Sequence, residues 1–133
     1  MLSGPLPITM LSAAIIGLLL LKLSYQCVQI RIQKKILLGD DGETDMYHAM
    51  RVQANLTEYA PVGLIIVGLL EYSQAHQWVL LTAAGLLILG RVMHAWGFSK
   101  AKGYSFGRYW GTVSTWLQLA FGSLAGIYYT LIA

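Results

Sequence analysis

Read as a bare sequence, the chain predicts an all-α integral membrane protein, a four-helix bundle, on three observations. Hydrophobic residues make up 56% of it and charged residues only 11%, whereas a soluble domain carries about 25% charged residues. Four apolar runs each approach or exceed the ~20 residues needed to cross about 30 Å of hydrocarbon. Those runs are also uninterrupted, unlike the roughly ten-residue alternations of barrel strands. With 133 residues and a mean hydropathy of +0.59, one polytopic domain fills the length and leaves little chain outside the lipid.

The first run covers residues 7–30. No basic stretch precedes it, its apolar character continues past Lys22, and Ser12-Ala13-Ala14 matches a small-residue cleavage pattern only loosely. It is therefore expected to stay as a membrane helix and not to be removed as a leader. The GDDGETD segment that follows reads as a turn. The second run takes residues 46–71, the third 77–98 after the short YSQAH connection, and the fourth 108–132 after SKAKGYSFG.

Basic residues orient these spans. Arg31, Lys34, Lys35, Lys100 and Lys102 fall in the first and third connections, with Arg108 at the edge of the latter. The positive-inside tendency puts both connections in the cytoplasm and both termini outside. Glu71 and His76 mark the opposite rim, where Trp78 is placed as an interfacial anchor. The short connections fit a bacterial inner membrane, and the polybasic ones are expected to lie against anionic headgroups and not nucleic acid.

The second span carries an arginine, an amide and a carboxylate inside an apolar stretch. Arg51, Asn55 and Glu58 follow spacings of four and three, which place them within a narrow arc of one helix face. An ionised residue near mid-membrane costs roughly 2.5–3.5 kcal/mol on insertion scales, so such groups face a partner or a wet cavity. Arg91, His94 and Phe98 repeat the spacing in the third span. Arg108, Thr112 and Thr115 do so in the fourth, while Gln53 points away from the main stripe and Tyr59 adjoins it. This set suits a small polyvalent anion: arginines fork carboxylates, and Asn and Glu meet amide and ammonium groups.

Plainer readings stand beside each of these. Arg51 and Glu58 can pair with each other to hold helices together. His94 reads first as a hydrogen-bonding helix contact. Cys27, the single cysteine, excludes an internal disulfide and is expected to be a packing residue without an adjacent activator. Gly122 and Gly126 form a GxxxG pattern expected to mark close helix packing. The sequon at Asn55-Leu56-Thr57 lies at hydrocarbon depth, beyond glycosylation. Asp40, Asp41, Glu43 and Asp45 lack the ligand order of a calcium loop. No phosphate-binding glycine loop, metal-ligand pattern or Ser-His-Asp arrangement is present.

MRVQANLTEYAP resembles the second-helix signature of the MAPEG superfamily, the membrane-associated proteins of eicosanoid and glutathione metabolism. Its Arg, Asn and Glu fall on Arg51, Asn55 and Glu58. Gln53, Tyr59 and Pro61 are similar to the leukotriene-forming synthase branch. GRVMHAWGF resembles the third-helix motif of the microsomal glutathione transferases, with Arg91 and His94 in register. The resemblance covers the chain as four helices in matching order. It implies a homotrimer that holds glutathione as cosubstrate at its subunit interfaces, with Arg51, Gln53, Asn55, Glu58, Tyr59, Arg91 and His94 among the contacts. It implies Arg108 as the cation at the thiol, and a further functional arginine at Arg31. Phe98 departs from the family's tyrosine, for which Tyr104 or Tyr109 could substitute. The Phe98–Arg108 connection departs in length from the synthase.

The implied chemistry has a physical basis. A thiol with a pKa near about 8.5 is only a few per cent ionised at neutral pH, and the thiolate is the nucleophile. A nearby guanidinium lowers such a pKa by about 1–3 and keeps its own charge when partly buried. The expected activity is glutathione S-transfer to hydrophobic electrophiles, with reduction of lipid hydroperoxides as a second reaction. The rival is a non-catalytic, lipid- or fatty-acid-binding scaffold trimer, because fold alone does not decide function. A small transporter fits four helices but lacks the broken-helix pairs of a substrate pathway.

Overall fold

The computed structural model describes residues 4–100 and 105–132, the side chains of residues 98–100 excepted. Their secondary structure is four helices: α1 (Pro7–Lys34), α2 (Thr44–Tyr72), α3 (Gln77–Lys100) and α4 (Phe106–Leu131). The order matches the expectation, with longer ends. α1 continues through Arg31 to Lys34 and stops where Lys35 enters the left-handed region (φ 57°), its N–H turned back to the Arg31 and Ile32 carbonyls. Arg31 and Lys34 fill that last turn, where cations complement the helix dipole. α4 begins earlier than its apolar run because the Ser105 hydroxyl caps it, accepting from the Arg108 N–H.

The helices run alternately up and down. Arg31, Arg51, Arg91 and Arg108 thus all fall towards one end, termed the basic end. α1, α2 and residues 77–97 of α3 are each long and apolar enough to cross a membrane. α4 is as long, but serines, threonines, Gln118 and tyrosines dilute it. It nevertheless follows α3 along its length. Near the basic end Gly107 lies against Gly97; midway Ser114 donates to the Leu86 carbonyl at 2.9 Å. At the far end the Tyr129 hydroxyl accepts from the His76 N–H at 2.8 Å.

Glycines set the α3–α4 seam. A Cβ on Gly97 would lie 2.6 Å from the Arg108 nitrogen, and one on Gly111 would lie 2.6 Å from the His94 nitrogen. Backbones this close exclude any side chain there. The expectation of close packing at Gly122 and Gly126 is met within the chain at the first of them. Gly122 packs on Ile66, but nothing lies within 4 Å of a Cβ on Gly126. The GxxxG pair that joins helices is Gly107 with Gly111, which lies on the face turned to α3.

Apolar packing fills the far end around Val67, Leu70, Ala83 and Leu87, and the middle around Ile16, Leu56 and Ala60. Glu71 does more than mark a rim. Its carboxylate accepts from the Ile8 N–H at 2.9 Å and the Thr9 N–H at 2.7 Å, capping α1 from α2 in place of Leu6, whose side chain offers no cap.

Candidate functional site

The polar core of the basic end is built around Arg91. It is 2% exposed and enclosed by α2 and α4. Its Nε donates to Thr115 Oγ1 at 3.0 Å. Its Nη1 donates to Asn55 Oδ1 at 2.7 Å and to the Asn55 carbonyl at 3.3 Å. The Tyr59 ring covers the guanidinium at 5.4 Å, a cation–π distance. Every one of these partners is neutral. Tyr59 in turn accepts from Trp116 Nε1 at 3.5 Å.

On the outer side of the same stretch of α2, Arg51 Nη1 lies 3.6 Å from Glu58 Oε1, with the two side chains 46% and 51% exposed. Asn55 falls between them, half-buried. The predicted common face of Arg51, Asn55 and Glu58 is therefore present, and so is the mutual pairing of its ends. That pair is loose, since tight charge-assisted bonds run at about 2.7–2.9 Å.

The other predicted site residues are distributed around this stripe. Gln53 turns to α1, donating to Ser24 Oγ at 2.9 Å, as its opposite position on the helix requires. His94 is buried, with Arg91 and Arg108 as its charged neighbours. Arg108 occupies the first turn of α4, half-buried, its backbone held against Gly97. Arg31 sits on the α1–α2 seam beside Met50 Sδ at 3.8 Å, close to buried Cys27 and Met46. Its Nη1 is buried without a hydrogen-bond partner among the described residues. Met50 and Arg51 are about 100° apart around α2, so Arg31 stands apart from the Arg51 stripe. The Phe98 side chain, Tyr104 and Lys102 lie outside the described residues, and Tyr109 is exposed. Cys27 is a packing residue, as expected.

Gln118 was not anticipated as part of the core. It is fully buried and reaches the Gly63 carbonyl at 3.4 Å. Continuing the Arg108–Thr112–Thr115 spacing by three residues reaches it, so the signal was in the periodicity. A separate groove of about 420 Å³ opens between α2 and α4 at the far end, lined by Ile66, Leu69, Gly126 and Ile127 with Ser73 and Thr130. None of its lining residues is charged, and it lies towards the end opposite the arginines.

Helices long and apolar enough to cross a membrane, enclosing a buried guanidinium and carrying an exposed ion pair on the outer face, define a polytopic membrane protein with a polar cluster towards one end of its bundle. The chain belongs to the MAPEG family, whose pattern matches residues 9–128. It is 30% identical over 122 residues, 92% of each chain, to "Inner membrane protein YecN" of Escherichia coli strain K12, and equally to the protein of that name in Escherichia coli O6:H1. No solved structure gives a significant match.

Proposed function

We propose that the protein is a membrane glutathione transferase, acting as a homotrimer on hydrophobic electrophiles that reach it through the bilayer. The observation that carries this reading is the half-uncovered Arg51–Asn55–Glu58 stripe. A charged pair left exposed on a membrane helix is costly, and it is relieved when a zwitterionic peptide and a neighbouring subunit cover it. Arg51 then takes a carboxylate, Glu58 an ammonium group, and Asn55 the peptide between them. The positive end of α4 supports the thiolate: Arg108 lies in its first turn, where the helix dipole also favours an anion.

In the transfer reaction the thiol proton leaves to solvent. The thiolate pair forms a carbon–sulfur bond, and the leaving group departs with the electrons of the bond it breaks. In the hydroperoxide reaction two glutathione molecules are oxidised to the disulfide while the hydroperoxide is reduced to an alcohol and water. The Lys and Arg residues of the first and third connections support a cytoplasmic position for both in an inner membrane.

Arg108→Ala tests the thiolate role. It is expected to keep glutathione binding but move the titration of the bound-thiolate absorbance to higher pH; an unmoved titration removes Arg108 from that role. A protein that binds glutathione but turns over no chloronitrobenzene-type acceptor or lipid hydroperoxide would instead be a scaffold.

A further inference from the structure

We propose that Arg91 is a positioning residue that locks Asn55 as a hydrogen-bond donor, so that Asn55 recognises an acceptor oxygen, carboxylate or peptide carbonyl, of the bound tripeptide. The inference rests on the glutathione reading and adds a direction to it, because an asparagine side chain can in principle donate or accept.

The direction follows from atoms already described. A guanidinium has donors only, so the Asn55 side-chain atom 2.7 Å from Arg91 Nη1 has to be the carbonyl oxygen, whichever way the amide is first drawn. Turning the amide over would set an NH2 group against an N–H of a buried cation. The guanidinium is itself immobilised. Its Nε is held by Thr115 Oγ1, whose proton is committed to the Gly111 carbonyl at 2.9 Å. Its Nη1 also reaches the Asn55 main-chain oxygen at 3.3 Å, and the Tyr59 ring closes one face. With Oδ1 held inward, the capacity Asn55 has left is chiefly its two N–H donors. Nδ2 bonds to no described residue and is not sealed in the protein. The stripe therefore presents donors at Arg51 and Asn55 and an acceptor at Glu58, an order that selects where a ligand's oxygens and ammonium group lie.

Asn55→Asp separates this role from mere packing. It keeps an oxygen for Arg91, and a charged one, but replaces the NH2 with an acceptor. The expected result is a melting temperature at or above that of the wild type, with glutathione affinity lowered about tenfold or more. Arg91→Lys is expected to weaken glutathione binding in the wild-type background and to add no further loss in an Asn55→Ala background. A ligand-free readout accompanies these: the Asn55 side-chain amide gives one NMR signal pair of a single fixed orientation in the wild type, and in Arg91→Lys that pair shifts towards the averaged position of a freely turning side chain. Wild-type affinity in Asn55→Asp, or an equal loss from Arg91→Lys in both backgrounds, overturns the proposal. A wild type that binds no glutathione overturns the parent reading instead, while the amide pair still reports on the lock.

Discussion

Arg91 and Arg51 lie on facing helices at the same end of the bundle, yet one guanidinium is sealed by its own chain and the other is half uncovered. Arg91 directs its donors at Asn55 and Thr115 under the Tyr59 ring. Arg51 has a single carboxylate at 3.6 Å, itself half exposed. Low dielectric strengthens a satisfied polar network and penalises an unsatisfied one. The inner region is therefore complete within one chain, whereas the outer region needs something to cover it. The difference teaches that position along the bundle does not distinguish an enclosed arginine from an uncovered one. The supply of partners does.

The largest way to break that comparison is Arg91→Ala. It removes a fully enclosed side chain and leaves Asn55 Oδ1 without its donor, and the expected cost is about 3 kcal/mol, read as a lower melting temperature in detergent. A change within about 0.5 kcal/mol, the range of ordinary surface substitutions, would mean that the inner region is not the keystone described. Next comes the seam that holds Arg91 against Thr115. Gly97→Ala forces a methyl group into the Arg108 backbone and is expected to cost about 2 kcal/mol. Gly126→Ala, which meets nothing within 4 Å, should stay within about 0.5 kcal/mol. A matching loss at Gly126, accompanied by a change in oligomer size, would place that face between copies of the chain. Arg51→Gln is also expected to cost little stability, under about 1 kcal/mol for a loose exposed pair, with its consequence appearing in binding instead.

Much of this organisation is legible in residue spacing. Four apolar runs of bilayer length yield four helices, and the four-and-three spacing puts Arg51, Asn55 and Glu58 on one face. Spacing says which residues share a face but not what stands opposite it. Arg91 and Arg51 therefore look alike in the sequence, and only the approach of α4 through Gly97, Gly107 and Gly111 shows that Arg91 is enclosed. Glu71 is similar: its position at a helix end is visible, but its bond to the start of α1 depends on tertiary contact. Gln118 lies one step further along the α4 stripe, so spacing alone places it on the inward face.

A calorimetric titration of glutathione into the purified protein in detergent, run in parallel on Arg51→Gln, tests the central claim most directly. The account predicts saturable binding to the wild type that Arg51→Gln weakens by about tenfold or more, as loss of a charge-assisted bond implies, with the variant folded as stably as its parent. No binding to the wild type, or equal affinity in both proteins, would contradict it.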